Sequence, residues 1–344
     1  MSGIPPSPAS GRNPAFDRLR GIGAVMVVFI HAPPLLHSNV PVLQDAGWLI
    51  RELCQLAVPY FFLLSGWMMG RKWVSGRTGW DELGRSLGRL ASLYLPWFLL
   101  FLAFDAIFGL PHSPLLVLRR FAGFSVTGPK TTGYHLWFLP SLALAQVLVW
   151  AGRKSTGSSI PALVVGAALF ACFYVREILG LDAPFGMVAT EGLNLSLVLV
   201  ALGSWLGSRP SILTPGPWMV VVSVALLLAE GIVLQRLAPG KEPVHTFQVL
   251  RIVSGAILLL WAARSPGGMG MGMIGRFLDF LGRYSTAIYV SHLAFLVLIP
   301  FDRWVPNGFV RDNLVRWPVA LVGACALSFL LGRSRWPAIR RLVA

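Results

Sequence analysis

The chain has 344 residues, of which 55% are hydrophobic and 12% charged, with a mean hydropathy of +0.68. A soluble domain carries about 25% charged residues, so this composition excludes a soluble globular enzyme and a disordered chain alike. Recurrent long apolar runs, in place of short alternating strands, exclude a β-barrel and predict an all-α, polytopic integral membrane helical bundle. The net charge of +15 comes from 29 Lys and Arg against 14 Asp and Glu. These basic residues lie mostly between apolar runs, where anionic headgroups and cytoplasmic positive charge account for them without nucleic acid. Cys54, Cys172 and Cys325 are far apart and form neither a CxxC pair nor a metal-ligand spacing, so no metal site is expected.

Residues 1–15 are rich in Pro, Ser and Gly and predict a disordered tail, leaving 16–344 as a single transmembrane domain. Predicted spans follow at 18–36, 53–70, 91–110, 135–152, 159–178, 191–207, 217–235, 247–264, 280–300 and 317–333, about ten helices. The second is expected to be broken by Pro59 and Gly66. Counting Lys and Arg in alternate connections puts eighteen on the side of the N-terminus and eleven opposite, which predicts cytoplasmic termini. No appended soluble domain is expected, and the membrane unit is expected to act by itself or with a partner.

The first span carries Asp17, Arg18 and Arg20 at its start and His31 near its end. Ionisable groups inside a span are costly, which makes each a functional candidate. Arg20 and His31 are eleven residues apart, on one helix face and about 16 Å apart along the axis. Asp17 lies about 40° off that face. His31 suits acid–base work, or it is a histidine held at the outer interface beside Pro33 and Pro34. Arg20 alone also fits a headgroup anchor.

The second span includes Ser65-Gly66, which permits close packing or a local break. Arg71, Lys72, Arg77, Arg85 and Arg89 precede the third span. Arg85 and Arg89, spaced i, i+4, fit either the positive-inside pattern or bidentate phosphate binding. The fourth span opens Tyr134-His135-Leu136-Trp137-Phe138-Leu139, an aromatic belt in its plainest reading. Tyr289 and His292 share a face in the ninth span. Asp105 and Glu230 also fall in spans, whereas His37, His112 and His245 fall in loops and receive no role.

Taken in this order, the motifs resemble acyltransferase family 3. Phe16-Asp17-Arg18-Leu19-Arg20-Gly21-Ile22 with His31 is similar to the family's opening motif, a basic residue followed after ten others by a catalytic His. Pro59 to Gly66, Arg85 and Arg89, His135-Leu136-Trp137-Phe138-Leu139, and Tyr289 with His292 are similar to its later motifs. Many members space the two basic residues three apart; here the spacing is four.

The resemblance implies a bacterial inner-membrane enzyme of about ten helices that moves an acyl group, commonly acetyl, to a hydroxyl of a sugar or cell-envelope glycan. It implies acyl-coenzyme A as donor substrate and no tightly bound cofactor. The donor phosphates would meet Arg20, Arg71, Lys72, Arg85 or Arg89, with the pantetheine arm directed toward His31 as general base. Asp17, Tyr289 and His292 would orient the base or hold substrate, Ser65 would assist at the oxyanion, and His135 and Trp137 would line the substrate site. The rival expectation is a secondary transporter or flippase with Arg20 and His31 on its path.

Overall fold

The computed structural model describes residues 13–36, 38–108, 132–179, 191–209, 214–237, 248–265, 272–340 and 342, and every regular element among them is helical. Of the expected tail, residues 1–12 lie outside the described residues, as do His37, His112 and His245. The chain enters helix α1, Pro14–His31, directly after Asn13, whose side-chain oxygen accepts from the Ala15 N–H and caps the first turn. The helix ends at His31, before the Pro33-Pro34 pair, and not at the expected residue 36.

The other long helices are α2 Pro41–Cys54, α3 Ala57–Val74, α4 Trp80–Ile107, α5 Phe138–Thr156 (entered through a 3-10 turn, Tyr134–Trp137) and α6 Ile160–Leu179. They continue with α7 Glu191–Ser208, α8 Pro217–Leu237, α9 Val249–Arg264, α10 Gly272–Leu298 and α11 Arg316–Gly332. Each predicted span coincides with one of these helices; α2 is additional. Pro59 lies in the first turn of α3, where it displaces no helical hydrogen bond, and α3 passes Gly66 without the expected break.

Five stretches among the described residues are long and apolar enough to cross a membrane: Pro41–Val74, Trp80–Ile107, Tyr134–Thr156, Pro217–Leu237 and Gly308–Gly332. The expected count of ten is not reached on this measure. Ile160–Arg176 and Gly192–Ser208 are apolar but shorter, and α1 and α10 carry several charges each, including Arg18 and Asp279, which bond to one another at 2.9 Å. At 28 residues α4 is about 42 Å long, more than the ~30 Å hydrocarbon layer. Its first turns therefore extend beyond the apolar zone, where Asp81 and Glu82 face the helix N-terminus favourably.

Glycines set how the helices meet. Cβ atoms added at Gly66 and Gly70 of α3 would lie 2.1 and 2.2 Å from the carbonyls of Val200 and Ser204 in α7. Conversely, Cβ atoms at Gly203 and Gly207 would lie 2.1 and 2.3 Å from those of Leu63 and Trp67. Small residues four apart on both helices allow this parallel backbone contact in a medium that supplies no hydrophobic drive of its own. The parallel pair α1 and α10 meets the same way at Gly21 and Gly282, where a Cβ on Gly282 would lie 2.0 Å from Asp17 O.

Two polar contacts tie the outer helices to this frame. Glu52 of α2 and Arg251 of α9 are each 1% exposed and pair at 2.8 Å, with Gln248 donating to the same carboxylate at 2.7 Å. Glu230 of α8 accepts from the N–H groups of Val249 and Leu250 and so caps α9 from a neighbouring helix.

Overpacking a tight contact costs about 1–3 kcal/mol, and backbone separation costs more. Gly203→Val should therefore lower the melting temperature in detergent, whereas Gly84→Ala, within a helix where an added Cβ meets nothing within 4 Å, should not lower it.

Candidate active site

Three histidines from three distant parts of the chain converge. His31 ends α1, His135 lies in the 3-10 turn before α5, and His292 lies within α10. The His31 and His292 rings stack with centroids 5.1 Å apart, and His135 stands edge-on to both, at 6.1 and 5.1 Å. His292 Nδ1 is 2.7 Å from Tyr289 O and 3.2 Å from Ile288 O, so that nitrogen carries the proton and donates. His135 Nε2 likewise donates to Val290 O at 3.2 Å. The other nitrogens, His292 Nε2 and His135 Nδ1, are then acceptors, buried and without a hydrogen-bond partner among the described residues. His31 Nδ1 is 2.7 Å from the Tyr134 hydroxyl.

Exposure separates the three. His135 and His292 are 1% and 0% exposed, whereas His31 is partly open. The Tyr289 hydroxyl donates to the His135 carbonyl and ties the turn to α10. Trp137, two residues past His135, points elsewhere: its ring packs near Phe62 of α3, and a Cβ on Gly192 would touch it at 2.9 Å. Among the described residues no group of His, Cys, Asp or Glu is disposed to hold a metal ion.

A second site opens toward the other end of α1. A cavity of about 490 Å³ is bounded by α1, α3, α4, α5 and α10, and its cationic lining residues are Arg20, Lys72, Arg77 and Arg89. Arg20 is 3.4 Å from the Thr286 hydroxyl of α10. Lys72 pairs with Glu82 at 2.6 Å across the rim between α3 and α4. Ser65 lines the cavity too, and its Oγ accepts from Gln146 Nε2 at 2.9 Å. Gln146 Oε1 in turn accepts from Ser86 at 2.8 Å. This chain joins α3, α5 and α4 and leaves the Ser65 O–H available as a donor.

The expected site residues thus divide into two groups. His31, His135, Tyr289 and His292 come together; Arg20, Ser65, Lys72 and Arg89 come together separately. Three expectations need correction. Asp17 does not accompany His31: it lies fourteen residues away on the same helix, about 21 Å along the axis, and pairs with Arg20 at 3.6 Å. Arg85 does not line the cavity; its side chain is 73% exposed and bonds Glu82. Arg71 is exposed and outside the cavity.

Read from the sequence, Tyr134 and Arg77 belong only to an aromatic belt and to a basic stretch, and Gln146 and Thr286 have no role. The legible signals were a Tyr beside His135 and a lone amide within an apolar span.

The apolar helical bundle, with several helices long and apolar enough to cross a membrane, is that of an integral membrane protein. Residues 13–333 match the family 3 acyltransferase model, described as an acyltransferase domain, so the chain belongs to that family. It is also similar to two proteins from Enterococcus faecalis, each named amino-acid racemase. One is 27% identical over half of this chain and 23% of the relative. The other is 26% identical over 39% of this chain and 18% of the relative. The chain thus spans less than a quarter of these relatives. No solved structure matches the fold.

The unequal exposure of the histidines predicts their chemical reactivity. Diethyl pyrocarbonate should modify His31 first and leave His135 and His292 protected in the folded protein, as read by peptide mass spectrometry.

Proposed function

We propose that the protein transfers an acyl group, acetyl in the simplest case, from cytoplasmic acyl-coenzyme A to a hydroxyl of a sugar or cell-envelope glycan, with His31 as general base. The observation that carries this reading is the pairing of two sites along one helix. The cation-lined cavity holds Arg20, and His31 stands among two histidines and a tyrosine eleven residues further on. The axial distance of about 16 Å suits an extended pantetheine arm.

In this reading Arg20, Lys72, Arg77 and Arg89 receive the donor phosphates, because guanidinium and ammonium groups facing a partly enclosed cavity bind phosphate strongly and orient it. Lys72 exchanges its Glu82 partner for phosphate as the donor enters. Ser65, its lone pair engaged by Gln146, donates its O–H toward the donor in the cavity. The acceptor hydroxyl approaches the open side of His31, gives up its proton to the imidazole and attacks the thioester carbonyl. The thiolate of coenzyme A leaves and takes that proton from His31, which returns to the neutral imidazole. The carbonyls that His292 and His135 face fix the tautomer and orientation of both rings beside His31.

The proposed topology takes α1 and α3 through α11 as ten crossings of a bacterial inner membrane with both termini cytoplasmic, and α2 as an outer helix. It puts the cavity on the donor side and the histidines on the acceptor side.

His31→Ala should abolish thiol release from acetyl-coenzyme A by the purified protein, with folding retained by thermal melt. Retained activity would reject the general-base role. Arg89→Ala and Arg20→Ala should each weaken donor binding by about 10-fold or more, since a charged hydrogen bond is worth roughly 1.5–3 kcal/mol. Arg71→Ala, outside the cavity, should leave it unchanged. Equal effects at all three positions, measured by calorimetry with acetyl-coenzyme A, would reject the cavity as the donor site.

A further inference from the structure

Asp105 is a carboxylate near the end of α4 with no exposure at all, and nothing in the mechanism above uses it. Withholding a carboxylate from water inside a bundle is costly unless hydrogen bonds compensate. Its Oδ1 accepts from the Thr132 N–H at 2.8 Å and lies 2.7 Å from the Thr132 hydroxyl. That hydroxyl is also 3.0 Å from the carbonyl of Phe101, one turn earlier on the same face of α4. Gly133 lies so close to Phe101 that a Cβ there would sit 2.7 Å from the Phe101 Cβ. The Phe101 ring meets His135 edge-on at 5.2 Å.

One face of α4 therefore grips the turn at Thr132, at Gly133 and again at His135. The residue between, Tyr134, is the one that bonds His31. We propose that Asp105 is a positioning residue for the reaction: through Thr132 it holds the 132–135 turn so that Tyr134 and His135 stand against His31. The catalytic importance of this clamp rests on the reading of His31 as general base. The clamp itself rests only on the geometry around Thr132. Because one oxygen of Asp105 takes both Thr132 donors, an amide at position 105 keeps that acceptor and a leucine removes it.

The test uses full-length protein purified in detergent, with His31→Ala as reference. Two readouts are taken: diethyl pyrocarbonate labelling of each histidine, and thiol release from acetyl-coenzyme A with glucose as hydroxyl acceptor. In Asp105→Leu, His135 should label about tenfold faster while His292 stays protected, as expected of a local opening. Release should fall by about 10- to 100-fold, the scale of a misplacement near 1 Å. The KM for acetyl-coenzyme A should not change, because the cavity lies elsewhere. Asp105→Asn should restore both readouts to near wild type, and Thr132→Val should fall between.

The proposal is overturned if His135 stays protected in both Asp105→Leu and Thr132→Val. It is equally overturned if His292 is exposed along with it, which would mean general loosening. Unchanged release in Asp105→Leu, with His31→Ala inactive, also overturns it. Retained release in His31→Ala would remove the general-base reading instead, and the labelling would still decide the clamp.

Discussion

Gly21 of α1 and Gly282 of α10 let two helix backbones touch where any side chain would hold them apart, and the geometry of both sites follows from that contact. With α1 and α10 parallel and in contact, His31 stacks on His292 toward one end and Arg20 reaches Thr286 toward the other. Neither pairing survives a shift of one helix by a few ångströms. In an apolar medium such contact is held by packing and directional polar bonds. The Arg18–Asp279 pair supplies one such bond beyond the glycines. The α3 and α7 pair repeats the arrangement and gives the cavity a rigid wall.

Several polar and charged groups among the described residues tie helices together. Glu52 and Arg251 fasten an outer helix, Glu230 caps α9, and Arg153 collects the hydroxyls of Ser159, Ser204 and Ser208. These groups stabilise by satisfying one another, since an unpaired ion in such surroundings is strongly destabilising.

Much of this was legible in the chain, and the misses have physical causes. The ten apolar runs coincide with helices because hydrophobic length is a local property. Helix α2 was missed because fourteen residues with Asp45, Arg51 and Glu52 are too short and too polar to read as a span. Asp17 was grouped with His31 because a helical wheel shows angle clearly, while three to four turns of axial distance exclude contact. The i, i+4 spacing pairs Arg85 with Arg89, and both are exposed, yet 40° of rotation leaves only Arg89 at the lining of the cavity.

From its sequence alone this protein is an all-helical membrane chain with cations at the start of its first span and histidines in three of its spans, because composition and periodicity are written residue by residue. Which of those residues share a site was decided only by the tertiary structure. His31, His135 and His292 are separated by more than a hundred residues at each step, and no local pattern encodes their meeting. It depends on where helices cross, and that is set by glycine contacts and by the turn anchored on α4, between residues far apart in the chain.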